Sequence, residues 1–152
     1  WLHKLEVLDH LPDCWYHYQF YYYGNSDDDP NKELITTIGV KSIVTQPNDD
    51  TEKMTKGVHM VRGYAWSGAG AISEVDVSVD GGETWHSAHI EAPRDRFMWV
   101  RWSYRWDADK TGKYNIMSRA TDEVGRVQSR EPRYNNMRKN FSAIVGYPVT
   151  VE

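Results

Sequence analysis

From Val40 to the end of the chain, apolar and polar residues alternate with period two over short stretches bounded by turn residues, a pattern that predicts an all-β sandwich or barrel. Val40 to Gln46 is a first predicted strand, ended by Pro47 and the polar run Asn48 to Glu52; Val58 to Trp66 is a second and Ile72 to Asp80 a third. In the third, Val75, Val77 and Val79 share one face while Glu74, Asp76, Ser78 and Asp80 share the other, so the strand is expected to be buried on one side and wet on the other. Asp80-Gly81-Gly82-Glu83 tolerates the positive φ of a tight hairpin, and Thr84 to Glu91 is expected to return as the fourth strand. Met98, Val100, Trp102, Tyr104 and Trp106 alternate with Trp99, Arg101, Ser103 and Arg105 in a long fifth strand whose second face mixes charge with a ring. After a turn at Lys110-Thr111-Gly112, Tyr114, Ile116, Ser118 and Ala120 alternate with Asn115, Met117, Arg119 and Thr121, and Tyr147, Val149 and Val151 close the chain. About seven strands with no convincing amphipathic helix predict an immunoglobulin-like antiparallel β-sandwich over residues 40–152.

Residues 1–39 have no clean period. An apolar start (Trp1 to Leu8) and an aromatic cluster (Trp15, Tyr16, Tyr18, Phe20, Tyr21, Tyr22, Tyr23) precede a solvated turn or linker, Gly24 to Asn31. The cluster has no facing partner nearby in sequence, so this segment is expected to cover another surface and to act as a connection between domains.

The length, 152 residues, suits one domain that needs no metal or disulfide staple. Seven Trp, ten Tyr and three Phe favour strands with additional buried contact surface and disfavour disorder. With 18 Lys and Arg against 22 Asp and Glu, the net charge of −4 has the wrong sign for a protein that neutralises phosphates, and nucleic acid is not an expected partner. No run approaches a membrane span and the first residues lack the organisation of a signal peptide, so a soluble chain is expected. Cys14 stands alone, which excludes an internal disulfide and leaves the compartment open.

His10, Cys14 and His17 offer metal-ligand residue types without a fourth ligand at a recognisable spacing, and no metal site is expected. His86 and His89 point to opposite faces of a strand, where chelation needs a bend. Asp27, Asp29 and Asn31 imitate the odd positions of a calcium loop, but Lys32 and Ile38 occupy the places of its glycine and glutamate. Gly68-Ala69-Gly70 has Ser73 where a dinucleotide fingerprint needs Gly or Ala, with a predicted strand following where a helix should open, and Ser67 lacks the upstream glycine of a nucleophile elbow. No self-contained catalytic machinery is expected. Between residues 126 and 139, however, Arg126, Arg130, Arg133, Arg138 and Lys139 face the single acid Glu131. Guanidinium forks bind oxyanions bidentately, so this loop is either an anion site or a set of solvated charges balancing Asp122 and Glu123.

Gly63-Tyr64-Ala65-Trp66-Ser67-Gly68, followed by Val75-Asp76-Val77-Ser78-Val79-Asp80-Gly81-Gly82-Glu83-Thr84-Trp85, strongly resembles the C-terminal domain of the sulfite oxidase family of molybdenum enzymes. The resemblance continues through Trp99 to Trp106, Arg119-Ala120-Thr121-Asp122, Gln128, Asn136-Met137-Arg138 and Val149-Thr150-Val151, while Trp1-Leu2 and His17-Tyr18-Gln19 look like the family's exit from its catalytic domain. It implies an immunoglobulin-like dimerisation domain at 40–152, a connecting segment at 1–39, and an upstream domain, absent here, that holds molybdenum-molybdopterin. A homodimer, a cytochrome electron acceptor, a small oxyanion substrate and, from bacterial relatives, a periplasmic location are implied in the same way.

The resemblance further implies that this domain supplies one arginine to the oxyanion pocket, in an Asn-Leu-Arg-Gly-like motif that Arg138 matches. Family members acting on nitrate tend to be apolar there, so arginine implies oxidation of sulfite to sulfate. Lys139 replaces the usual glycine, and Tyr134-Asn135-Asn136 has one residue more than the family's Trp-Asn. Cys14 is not the molybdenum ligand, which lies further upstream in the family, and the fragment alone is expected to be inactive. The competing reading is a non-catalytic immunoglobulin-like protein-binding module.

Overall fold

The computed structural model describes residues 1–26, 28–47, 53–92 and 94–152, with Lys53 described by its backbone alone. Asp27 of the calcium-like pattern and the polar run Asn48 to Glu52 lie outside the described residues. In chain order the elements are α1 (Trp15–Phe20), β1 (Tyr22–Tyr23), β2 (Glu33–Leu34), β3 (Lys41–Gln46), β4 (Lys53–Met54), β5 (Gly57–Trp66), β6 (Ile72–Ser78), β7 (His86–Ser87), β8 (His89–Ile90), β9 (Val100–Ala108), β10 (Gly112–Asp122) and β11 (Gly146–Val151). The chain divides into two compact units, one of residues 37–133 and 140–152, the other of residues 1–36 and 134–139.

The larger unit is an immunoglobulin-like β-sandwich. One sheet has the order β4-β11-β10-β6-β7 and the other β3-β5-β9-β8. Pairing is antiparallel except where β4 joins β11 in parallel. The period-two residues supply the interior: Val61, Ala65, Val75, Val77, Ile116 and Ala120 are fully buried, with Val100, Trp102, Val149 and Val151 close behind. A glycine makes room for the largest of them. Gly63 pairs with Trp102 across β5 and β9, and a Cβ there would lie 2.0 Å from the Ile43 carbonyl oxygen and 2.3 Å from Trp102 Cζ2. The core therefore needs a residue without a side chain at this position. Polar groups join β3 to β10: Ser42 Oγ donates to Ser118 Oγ at 2.8 Å, while Gln128 Oε1 accepts from Ser42 N at 2.8 Å and Ala120 N at 3.3 Å. These buried groups are satisfied by one another, as burial requires.

Several strand expectations are corrected. Residues 84–91 do not form one strand: β7 pairs with β6 and β8 pairs with β9, so the chain changes sheet at Ala88. Ile90, 6% exposed, must reach the interior beside its cross-strand partner Trp102, and only the opposite sheet offers that place. Asp80 to Glu83 is not a two-residue hairpin either, because the last β6–β7 pair is Val77 with His86. The longer loop is organised by Asp80, whose carboxylate accepts from the amides of Glu83 and Thr84 and from the Ser78 and Thr84 hydroxyls. Ser78, expected on the wet face, is buried because its Oγ turns inward to accept from Gly82 N at 2.8 Å. Val79 is half-buried against the core. Met98 lies outside β9, in a turn where Phe97 has φ 63°.

The smaller unit also departs from expectation. The aromatic cluster finds partners within itself, since α1 brings the Trp15 ring to 5.1 Å and the Tyr16 ring to 5.8 Å from Phe20. Tyr16 and Phe20, four residues apart, meet on the same helix face, which a search for strand periodicity does not detect. β1 and β2 form an antiparallel pair, Tyr22 opposite Leu34. In the intervening segment, Asp29 accepts from Asn25 N at 2.7 Å and Asn31 N at 2.8 Å, and these backbone bonds hold its carboxyl below the usual carboxylate range.

Candidate functional site

The segment carrying Arg138 is a loop whose centre is a buried asparagine. Asn135 is 6% exposed and donates through Nδ2 to the carbonyl oxygens of Phe20 at 2.9 Å and Tyr22 at 2.6 Å. Its Oδ1 accepts from Met137 N at 3.0 Å and Lys139 N at 2.8 Å, and its backbone oxygen accepts from Arg138 N at 3.0 Å. Asn favours such turns because its short side chain reaches amides two and four residues along. Within this turn Arg138 adopts φ 52° and is exposed, so its guanidinium lies on the surface of the smaller unit. Lys139 Nζ lies 5.6 Å from the centroid of the Tyr21 ring, and Lys32 Nζ lies 4.3 Å from that of the fully buried Tyr22. The arrangement presents cations among tyrosine rings, a chemistry suited to small anions.

Other cations of the 126–139 stretch have structural work in the sandwich. Arg126 Nε donates to Asp122 Oδ2 at 2.9 Å and its Nη2 to Ser67 Oγ at 2.6 Å. Ser67 Oγ in turn donates to Asp122 Oδ2 at 2.8 Å, so Ser67 is a buried link in this network and not a nucleophile. Burial alone would push the Asp122 carboxyl up, but the bonds from Arg126 and Ser67 outweigh it and hold the group below its ordinary range. Arg130 Nη2 donates to the Gly81 carbonyl at 3.2 Å. The solvated-charge reading thus describes Arg126 and Arg130 incompletely, since both are hydrogen-bonded to the fold.

Among the described residues no three His, Cys, Asp or Glu side chains converge as a metal site. His10 Nδ1 meets Asp9 at 2.8 Å, and Cys14 precedes α1 at its N-cap position without a side-chain bond to the helix. His86 and His89 are exposed and belong to different sheets. Asn135 holds the loop, a role that the sequence does not single out, since Tyr134-Asn135-Asn136 differs from the family's Trp-Asn only by one residue more. Its signal was present as an Asn followed by amides at the second and fourth positions, but that spacing is common in turns and acquires meaning only with the carbonyls of Phe20 and Tyr22.

The sandwich has a second candidate surface on the outward side of β5 and β9. Trp66 and Trp99 stack at 4.2 Å with planes 10° apart, and Tyr64 lies 6.3 Å from Trp99. Val58, Met60 and Trp99 are exposed, and β5 also turns Arg62 outward. Arg101 pairs with Glu91 at 3.1 Å, and Arg62 Nη1 donates to Gln46 Oε1 at 3.0 Å. Apolar rings within a mixed-charge rim are the composition of a protein interface.

Comparison with known proteins agrees with the β-sandwich fold. Residues 32–144 match the family model described as the Mo-co oxidoreductase dimerisation domain. Mitochondrial sulfite oxidase of Rattus norvegicus is 38% identical over 100 residues, covering 62% of this chain and 18% of the relative. Nitrate reductase [NADH] 2 of Phaseolus vulgaris is 30% identical over 161 residues, covering 90% of this chain and again 18% of the relative. The crystal structure of the sulfane dehydrogenase SoxCD from Paracoccus pantotrophus superposes with a TM-score of 0.70 at 30% identity, covering 84% of this chain and 34% of that one. The chain spans about a fifth of the curated relatives' length (18%), and it belongs to the Mo-co oxidoreductase dimerisation domain family, within the sulfite oxidase and nitrate reductase group of molybdoenzymes.

Proposed function

We propose that this chain is the dimerisation domain of a molybdenum-dependent oxidoreductase that converts sulfite to sulfate, and that Arg138 contributes to the oxyanion pocket. The observation that carries the reading is an exposed arginine at the motif position, held by Asn135 in a defined turn. Guanidinium offers paired donors to two oxygens of one anion and keeps its charge at any accessible pH, which an ammonium group does not reproduce. Residues 1–39 act as the connector from an upstream molybdopterin domain and residues 40–152 as the dimerising sandwich. The cofactor belongs to that upstream domain, where it would take up the two electrons released on oxidation; this chain's part is to bind and orient the anion. A second copy of the chain covers the Trp66–Trp99 face.

The test uses the full-length protein. Arg138→Met is expected to raise KM for sulfite ten- to a hundredfold at unchanged molybdenum content, because a charge-assisted hydrogen bond is worth about 1.5–3 kcal/mol and each 1.4 kcal/mol is tenfold. Unchanged sulfite kinetics, or a wild-type protein that turns over nitrate or a sulfane sulfur donor in preference to sulfite, would remove this reading. Sedimentation at micromolar concentration should give a dimer, and Trp99→Ser should shift it towards monomer.

A further inference from the structure

We infer that Asn135 is the positioning residue for Arg138, holding the arginine in its left-handed turn; this rests on the assignment of Arg138 to the oxyanion pocket. A non-glycine residue at φ 52° is strained and persists only where its surroundings over-determine it. Here the over-determination comes from one residue, whose backbone oxygen takes the Arg138 amide at 3.0 Å and whose side chain adds four further bonds. An asparagine amide has two N–H donors and two acceptor positions, and all four are used: the donors go to Phe20 O and Tyr22 O, and the acceptor positions take the amides of Met137 and Lys139. The amide orientation is unambiguous. A flipped Asn135 would turn its donors on two N–H groups and its oxygen on two carbonyls, which is four repulsions in place of four bonds.

The bonds also divide by function. The two acceptor bonds bracket Arg138, reaching the residue before it and the residue after it, so they fix the backbone from which its side chain departs. The two donor bonds fasten that turn to the end of α1 and to β1, so the turn cannot rotate as a body within the smaller unit. Asn136, the asparagine that the motif highlights, has no such role; its Oδ1 is buried and accepts no hydrogen bond. Asn135 acts on the substrate only through the arginine, and without Asn135 the backbone from which the Arg138 side chain departs would lose its fixed place.

The experiment is a double-mutant cycle on the full-length protein with sulfite as substrate, joined to hydrogen exchange of the Met137 and Lys139 amides. Asn135→Ala is expected to release both amides and to raise KM about tenfold, since small misplacements of a binding group cost one to two orders of magnitude. In the Arg138→Met background the same change should leave KM where it is, because there is no longer an arginine to position. A merely structural asparagine would instead lower the folded fraction equally in both backgrounds, and effects that multiply independently overturn the proposal. Amides that stay protected in Asn135→Ala overturn it as well. If Arg138→Met alone leaves KM unchanged while the amides are released, the pocket assignment has failed and the positioning role falls with it, although the turn itself is then shown to depend on Asn135. Should Asn135→Ala not fold, Asn135→Ser keeps an acceptor for the following amides in the weaker form a hydroxyl offers, and it should release the turn less while giving the same null effect on the Arg138→Met background.

Discussion

The sandwich and the smaller unit differ in what holds them together. In the sandwich, seventeen of the described apolar residues are buried together in one core, and its polar bridges (Ser42–Ser118, Gln128, Asp122–Arg126) are satisfied inside it. In residues 1–36 and 134–139, α1 buries none of its residues, Tyr22 is the fully buried ring, and order rests on hydrogen bonds between backbone groups and the side chains of Asn135, which donates and accepts, and Asp29, which accepts. Burial of apolar area is non-directional and tolerates small changes, whereas a hydrogen-bonded turn fails when one donor is lost. The lesson is that the segment carrying the candidate site residue is stabilised by geometry, and the segment carrying the interface by bulk packing.

The contrast is most severely tested by Val77→Asp. Val77 is fully buried, and an unpaired carboxylate in its place costs more than a domain of this size has to spare, so cooperative thermal unfolding should disappear. A surviving transition would mean that the valine face is not the core. Gly63→Ala comes next: with backbone and indole in the way, the sandwich should lose about 3 kcal/mol by urea denaturation, while Gly57→Ala, with open space around its Cβ, measures the cost of backbone strain alone.

Arg126→Met should cost about 1.5–3 kcal/mol by leaving Asp122 buried with fewer donors. It should also change the acid limb. Asp122 and Asp80 have folded-state pKa values below those of the unfolded chain, so between the two values the unfolded state binds more protons. Their contribution is therefore complete above the ordinary carboxylate pKa of about 3.9 and is lost as pH falls through the folded values. Removing Arg126 raises the folded value of Asp122, and the midpoint of acid unfolding should move to higher pH. The smallest effect belongs to Trp15→Ala in α1, expected to cost about 1 kcal/mol through the lost ring contacts and to speed exchange at Tyr18 and Tyr21, whose amides bond Cys14 O and His17 O. A comparable loss in the sandwich's own transition would contradict the division of labour.

The sequence by itself determined the fold class, because period-two alternation at Val75–Val77, Val100–Trp102–Trp106 and Ile116–Ala120 has only one way to bury its apolar face in a chain without amphipathic helices. Its motifs also determined the family and singled out Arg138. What it left open depends on residues distant in the chain. The sheet change at Ala88 was decided by the place available to Ile90 beside Trp102, the need for glycine at 63 by an indole 39 residues later, and the separation of Arg126 from Arg138 by the partners each one found. Asn135 is the sharpest case. Its local spacing describes an ordinary turn, and only the tertiary structure, by bringing the carbonyls of Phe20 and Tyr22 to its amide 113 to 115 residues away in sequence, makes it the hub that holds the arginine's turn. Periodicity is written locally, whereas the partner of a polar group is chosen by the whole fold.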